Sequence, residues 1–141
     1  MEKKLLIAVD FDGTIVEDRY PGIGKPMPFA FETLKMLQRD GHRLILWTYR
    51  VNKRLQEAVT FCEENGIDFY AVNKGFPEED LNHPETGRKI HADIFIDDRN
   101  FNGFPGWGVI YQNLSGQDSS LEKMNKDFGT KKRRGLFRFG R

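Results

Sequence analysis

Two carboxylates near the start of the chain occupy positions from which they could do chemistry. Asp10 and Asp12 are separated by one residue and follow an apolar run at residues 5–9. A continuous apolar run of this length is typical of a strand buried on both faces of a parallel sheet. Alternate residues of an extended chain point to the same side, so both carboxylates face the crevice where open α/β sheets bind ligands. A cation between the two acids, or a proton on one of them, would relieve their repulsion.

Two further predicted strands also end in polar side chains. Thr48 follows an apolar run at residues 44–47, and the pair Asp97 and Asp98 follows another run at residues 94–96. Because the carboxyl ends of parallel strands lie along one edge of a sheet, we expect these groups to meet the two acids of the first strand. A reaction that uses a hydroxyl and several carboxylates in this way is phosphoryl transfer.

Strands and helices alternate along the chain, which indicates βαβ units, right-handed crossovers and a parallel sheet. The apolar runs predict five strands, at residues 5–9, 44–47, 69–72, 94–96 and 108–111. Amphipathic spacing predicts helices at residues 29–40 and 51–65, and a short last helix near residues 119–127.

The composition is that of an ordinary globular domain. A length of 141 residues corresponds to one domain, and a net charge of +1 gives no overall field that would attract nucleic acid or a membrane. The single cysteine, Cys62, fits a reducing compartment and lies on the apolar face of its predicted helix, which indicates a core residue. No apolar run approaches the ~20 residues of a membrane span, and the first strand begins too early for a signal peptide. We therefore expect a cytoplasmic protein.

The string DFDGT at residues 10–14 resembles motif I of the haloacid dehalogenase superfamily of phosphotransferases. The resemblance covers residues 5–112 and implies a Rossmann-like three-layer α/β/α sandwich with a central, mostly parallel five-stranded sheet. We expect this core domain at residues 1–128, followed by a basic tail at residues 129–141. The gaps in which the superfamily inserts cap domains are too short here, so we expect a capless enzyme. Its open site would be closed by a large substrate or by a neighbouring subunit of a homo-oligomer.

The resemblance implies a role for each polar residue at a strand end. Asp10 resembles the nucleophile that attacks phosphorus and becomes an aspartyl phosphate, and Asp12 resembles the general acid and base. Thr48 resembles the motif II hydroxyl that donates a hydrogen bond to a phosphoryl oxygen. Asp97 and Asp98 resemble the acidic pair of motif IV, which helps to hold Mg²⁺.

The resemblance also implies a set of metal ligands and of substrate contacts. The Mg²⁺ ligands would be one oxygen of Asp10, the backbone carbonyl of Asp12, and either Asp97 directly or Asp98 through water. The ion would offset charge so that an anion can attack a phosphate dianion. The residues expected to contact substrate flank these positions: Gly13, Thr14, Tyr49, Arg50 and Arg99.

Motif III of the superfamily supplies a lysine, for which this chain has two candidates. Lys74 follows the third predicted strand at the same edge of the sheet as the acids. Lys89 lies eight residues before Asp97, in a segment that resembles compact members of the superfamily. A straight strand would place Lys89 at the opposite edge, so geometry slightly favours Lys74, and the choice between them stays open.

These residues predict a Mg²⁺-dependent phosphomonoester hydrolase that acts on a small phosphorylated metabolite, such as a sugar phosphate or a nucleotide. A second hypothesis is a phosphatase of nucleic-acid ends, for which the six basic residues at positions 131–141 would bind phosphates. The same tail also fits a solvated chain terminus. A third hypothesis is a phosphate-binding module without catalysis. No membrane partner is expected.

Overall fold

The computed structural model describes residues 3–115, within which there are four strands and three helices. In chain order these are β1 (Leu6–Val9), α1 (Ala30–Arg39), β2 (Arg43–Leu46), α2 (Asn52–Glu64), β3 (Ala71–Val72), β4 (Ile94–Ile96) and α3 (Trp107–Leu114). The helix predicted near residues 119–127 and the basic tail lie outside the described residues. In the described part of the chain, no helix is both long enough and apolar enough to cross a membrane.

The four strands form one parallel sheet in the order β3-β2-β1-β4. β1 is central, and its last residue, Val9, lies opposite Leu46 of β2 and Ile96 of β4. The three strands therefore end at the same level, and the residues that follow them emerge at one edge of the sheet. This confirms the α/β class and the parallel sheet expected from the sequence.

Helices α1 and α2 follow the apolar spacing of the sequence and lie within one residue of their predicted ends. α1 buries Ala30, Leu34 and Leu37, which lie on one side of a helix. α2 buries Ala58 and Cys62, one turn apart. Burial raises the pKa of the Cys62 thiol to about 12, so this cysteine is a core residue, as the sequence predicts, and not a nucleophile.

The fifth strand predicted at residues 108–111 is wrong, because these residues lie within α3. Trp107 is buried, and Ile110, Tyr111 and Leu114 pack against the same core. Their spacing of three, four and seven residues from Trp107 is that of one helix face. A short apolar run does not by itself distinguish a strand from a buried helix, and here contacts with α1 favour the helix.

All three helices pack on one face of the sheet. The buried side chains of α1, α2 and α3 share a single core with the sheet residues of that face, which are Ile7, Val9, Leu44, Leu46 and Ile96. This core lies directly behind the strand ends, so it fixes the direction in which the residues after each strand leave the sheet.

The opposite face of the sheet carries no helix among residues 3–115. Its buried cluster consists of Ala8, Ile45 and Ala71 from the strands and Ile90 from the connection between β3 and β4. That connection would have to supply the third layer of a sandwich, but it contains no helix. The described residues therefore form two layers, and the predicted three-layer arrangement is not observed in them.

Candidate metal centre and strand-end cleft

Three carboxylates from two neighbouring strand ends lie close together. One oxygen from each of Asp10, Asp97 and Asp98 lies within 4.8 Å of the other two. Asp10 follows β1, and the other two follow β4, its parallel neighbour. Carboxylate oxygens are the ligands that hard divalent cations take in proteins, so this group could hold a metal ion.

Thr14 connects two of these carboxylates from beneath. Its hydroxyl oxygen lies 2.9 Å from Oδ2 of Asp10 and 3.1 Å from Oδ1 of Asp98, and it accepts a hydrogen bond from the backbone N–H of Asp98 at 2.9 Å. A hydroxyl has one proton, so it donates to one carboxylate at a time. Through these hydrogen bonds Thr14 holds the acids in place. The sequence predicted that Thr14 contacts substrate, but the residue is fully buried and does not line the cleft.

Gly13 allows Asp98 to approach the first strand closely. Its φ of 91° lies in the left-handed region that favours glycine. A Cβ atom at this position would lie 2.6 Å from Oδ2 of Asp98, which is too close for a non-bonded contact. Gly13 was expected to contact substrate, but its absent side chain is what makes room for the acidic cluster.

The electrostatics of the cluster show an excess of negative charge. Burial is the main cause that raises the pKa of Asp10, to about 7. The hydrogen bond from Thr14 opposes this change, whereas the charge of Asp97 and a carboxyl–carboxyl hydrogen bond with Asp98 add to it. A divalent cation would remove the repulsion, so the donor set fits such an ion chemically as well as in spacing.

Asp12 lies in a different environment although it is two residues from Asp10. The Nε and Nη2 groups of Arg50 donate to Oδ2 and Oδ1 of Asp12, each at 2.7 Å. The exposed fractions of the two side chains are 3% for Asp12 and 0% for Arg50. This is a buried, bidentate ion pair, and it also raises the pKa of Arg50.

Arg50 uses its remaining N–H groups to hold nearby backbone. Nη2 donates to the carbonyl of Gly22 at 2.6 Å, and Nη1 donates to the carbonyls of Pro21 and Arg54 at 3.2 and 3.4 Å. All five donors of the guanidinium therefore have acceptors within the chain. The expectation that Arg50 contacts substrate is not met here, since the side chain is buried and its donors are occupied.

A cleft of ≈ 330 Å³ opens beside the acidic cluster. It is lined by Asp10, Asp12, Trp47, Thr48, Tyr49, Asp97 and Arg99. The structure thus brings together most of the residues that the sequence places at the ends of β1, β2 and β4. Arg99, a flanking residue of the last of these strands, provides a guanidinium at the cleft.

Thr48 is held in position by a residue that sequence analysis missed. The side-chain oxygen of Asn73, which follows β3, accepts a hydrogen bond from the backbone N–H of Thr48 at 2.8 Å. The Thr48 hydroxyl oxygen accepts from the backbone N–H of Arg50 at 3.1 Å, so its own proton can be donated elsewhere. The sequence did contain a signal for Asn73, because this amide side chain directly follows the third predicted strand, at the edge where the other polar residues meet.

Neither lysine candidate lines the cleft. The Lys74 ammonium donates to the carbonyl of Pro77 at 3.4 Å, within its own loop. The Lys89 ammonium lies 5.5 Å from the ring centroid of Phe95, which belongs to the sheet face opposite the helices. Neither ammonium is among the groups that line the cleft, and the choice between the two lysines stays undecided.

Trp107 fixes the loop that carries Thr14. Its indole Nε1 donates to the Thr14 carbonyl at 2.8 Å, and its side chain is buried at the start of α3. The indole is therefore both a packing group of the core and a hydrogen-bond donor to this loop. Helix α3 therefore contributes to the geometry of the acidic cluster without reaching the cleft.

Comparisons with known proteins identify a similar solved structure. No protein-family model matches the chain, and no curated protein matches it. A solved structure described as a conserved protein coded by a locus from Bacteroides thetaiotaomicron matches with a TM-score of 0.77 and 51% sequence identity. The match covers 86% of this chain and 98% of that chain. The similarity therefore extends over most of both chains.

Proposed function

The chain belongs to the same family as this conserved Bacteroides thetaiotaomicron protein, and from the geometry of its cleft we propose that it is a Mg²⁺-dependent phosphomonoester hydrolase. The observation that carries the proposal is the convergence of Asp10, Asp97 and Asp98 beside a cleft that also contains Thr48. The resemblance of residues 10–14 to motif I of the haloacid dehalogenase superfamily supports the same chemistry. The proposed substrate is a small phosphate ester.

Mg²⁺ is the proposed ion because the available donors are hard oxygens. Asp10, Asp97 and Asp98 would hold it, together with the backbone carbonyl of Asp12. When bound, the ion would offset the negative charge of the acids and of the substrate phosphate. Without that compensation, the like charges of the cluster would repel a phosphate ester.

Asp10 is the proposed nucleophile. Its carboxylate would form a bond to phosphorus while the bond between phosphorus and the ester oxygen breaks, which gives an aspartyl phosphate. The hydroxyl of Thr14, 2.9 Å from Oδ2, would orient the carboxylate for this attack. Thr48 and Arg99 would bind phosphoryl oxygens, since both line the cleft and both can donate hydrogen bonds.

Asp12 is the proposed proton donor to the leaving alcohol, and it would then take a proton from the water that cleaves the aspartyl phosphate. Both of its oxygens accept hydrogen bonds from Arg50 in the structure. At least one of these bonds must therefore be released before Asp12 can exchange a proton with substrate. Arg50 would be a positioning residue that sets the direction of the Asp12 carboxyl.

The direct test is phosphate release from p-nitrophenyl phosphate, measured with Mg²⁺ and with a chelator. We expect activity that depends on Mg²⁺ and that is abolished in the Asp10→Asn variant. Asp68→Asn is a matched control, because Asp68 is an exposed carboxylate outside the cleft. Activity that survives Asp10→Asn would rule out the proposed mechanism.

A second measurement separates a hydrolase from a phosphate-binding module. Beryllium fluoride mimics a phosphoryl group on a carboxylate, so native mass spectrometry with beryllium fluoride and Mg²⁺ should show a tight complex. The complex should be present in the wild type and in Asp68→Asn, and absent in Asp10→Asn. A module that merely binds phosphate would show no such dependence on Asp10.

A further inference from the structure

Aromatic side chains form one wall of the strand-end cleft. Trp47 and Tyr49 both line it, one on each side of Thr48 in the sequence. Tyr49 leaves 57% of its surface exposed, although large aromatic rings are normally placed where they can be buried. An exposed apolar surface inside a cleft marks a binding position. The wall is therefore available to a ligand that enters the cleft.

Each ring of this aromatic wall packs against a neighbouring aromatic ring. Tyr49 packs edge to face against Tyr20, with ring centroids 5.2 Å apart, and Trp47 packs in the same manner against Phe95 at 6.3 Å. The buried guanidinium of Arg50 lies 5.0 Å from the ring centroid of Tyr20. Because Arg50 is itself fixed by five hydrogen bonds, it holds Tyr20, and Tyr20 in turn supports Tyr49.

The other residues that line the cleft carry charged or polar side chains. Asp10 and Asp97 lie on its acidic side, and Thr48 and Arg99 supply donors for phosphoryl oxygens. A ligand that uses both sides carries a phosphate at one end and a flat ring at the other. The cleft volume of ≈ 330 Å³ lies within the range of small-molecule sites, so such a ligand is a small molecule.

On the basis of the proposed hydrolase activity, we propose that its substrates are nucleoside monophosphates, with the nucleobase stacked on the wall formed by Trp47 and Tyr49. Every nucleobase has a π-face, so stacking favours the nucleotide over a sugar phosphate and discriminates little between bases. The bond between phosphorus and the nucleoside oxygen breaks, and this oxygen takes a proton from Asp12. Water then cleaves the phosphate bond to Asp10 and returns a proton to Asp12, so the products are a nucleoside and inorganic phosphate.

The test compares adenosine 5′-monophosphate with ribose 5-phosphate, which has the same sugar and phosphate but no base. In the wild type we expect kcat/KM to be about tenfold or more higher for the nucleotide, which is the gain that one stacked base provides. Tyr49→Leu and Trp47→Leu should each lower this ratio severalfold. Phe76→Leu, which removes an exposed aromatic ring outside the cleft, should leave the ratio unchanged. A wild-type ratio near one, or ratios that both cleft variants retain, would overturn the proposal.

Two further substrates distinguish nucleotides from other esters with a flat ring. p-Nitrophenyl phosphate and a phosphotyrosine peptide are assayed beside the nucleotide under the same conditions. Since a cleft of this size suits a free mononucleotide, we expect the nucleotide to have the highest kcat/KM. A clear preference for the phosphotyrosine peptide would overturn the nucleotide assignment and would leave the hydrolase proposal in place.

A binding measurement keeps the inference testable even if no ester is hydrolysed, which would be a failure of the proposed function. Calorimetry with Mg²⁺ on the Asp10→Asn variant would compare the same nucleotide and ribose 5-phosphate. We expect binding about tenfold tighter for the nucleotide, and loss of most of this difference when Tyr49→Leu is added. Equal affinities for the two ligands would overturn the nucleotide proposal.

Discussion

Asp10 and Asp12 lie two residues apart at the end of β1, but the fold places their charges in opposite environments. Asp10 faces two other carboxylates, and its pKa is raised to about 7. Asp12 faces Arg50, and both of its oxygens are paired within the chain. The comparison teaches that a DxD pair at a strand end can combine two functions. One carboxylate belongs to a cluster that a cation would complete, and the other belongs to a completed ion pair that fixes the surrounding loop.

Among these variants, removal of the Arg50 guanidinium should have the largest effect on stability, because it breaks the ion pair with Asp12. Arg50→Met leaves Asp12 buried without its partner, which should lower the free energy of unfolding by about 3–5 kcal/mol. Urea denaturation followed by circular dichroism measures the change. The double variant Asp12→Leu/Arg50→Met should regain much of the loss, because no buried charge then remains unpaired. A loss below about 1 kcal/mol in the single variant would mean that Asp12 finds water or another partner, as an exposed pair would.

A side chain at position 13 should disturb the acidic cluster and leave the ion pair intact. Gly13→Ala forces a non-glycine residue into a left-handed conformation and moves the Asp98 carboxylate, so we expect a loss of about 1–3 kcal/mol in stability. It should also weaken Mg²⁺ binding, measured by calorimetry. Gly87→Ala is the matched control, because its Cβ would meet no atom within 4 Å. Mg²⁺ affinity equal to that of the wild type would show that Asp98 is not needed for the ion.

Removal of the Thr14 hydroxyl should have a smaller effect. Thr14→Val keeps the shape of the side chain but removes the hydroxyl that donates to Asp10 or Asp98 and accepts from the backbone N–H of Asp98. We expect a loss of about 1–2 kcal/mol in the free energy of unfolding. The same substitution at Thr60, an exposed residue of α2, is the control. Thermal unfolding without metal gives the comparison. If both variants melt alike, the hydroxyl does not stabilise the cluster.

The pH dependence of stability tests the acidic side of this comparison. A carboxyl whose pKa is raised from 3.8 to about 7 binds its proton more tightly in the folded state than in the unfolded state. Without metal, the contribution of Asp10 to stability should therefore be fully present below pH 4 and should decrease as the pH rises towards 7. The melting temperature of the wild type relative to Asp10→Asn, followed across this range, measures that contribution.

Saturating Mg²⁺ should remove or reverse the trend, because the ion binds the deprotonated carboxylate. For the same reason, the affinity for Mg²⁺ should rise with pH up to about 7. A flat difference between the wild type and Asp10→Asn in the absence of metal would contradict the electrostatic description of the cluster.

The polar residues at the carboxyl ends of the strands were predictable because their positions depend on local sequence. Apolar runs that end in polar residues gave β1, β2 and β4, and the parallel register then brought Asp10, Thr48 and Asp97 to one cleft. The strands are short and their runs are almost entirely apolar, which is a pattern that a sequence shows directly. The helices α1 and α2 were predictable for a similar reason, since each carries enough turns to display its period.

The features that escaped prediction depend on tertiary contacts. Arg50 pairs with a carboxylate 38 residues earlier in the chain, and nothing in its neighbourhood distinguishes it from an exposed arginine at a strand end. The short apolar run after Trp107 fits a strand as well as a helix until its contacts with α1 are known. The directions of Lys74 and Lys89 depend on the path of a connection that has no regular secondary structure.

The hydrogen bond between the Trp107 indole and the Thr14 carbonyl has a practical consequence. The chain has two tryptophans in different surroundings: Trp107 is buried in the core, and Trp47 lines the cleft. Both are natural fluorophores, one shielded from solvent and the other accessible to quenchers. Emission from the unlabelled protein therefore gives two optical signals, one for rearrangement of the core and one for occupancy of the cleft.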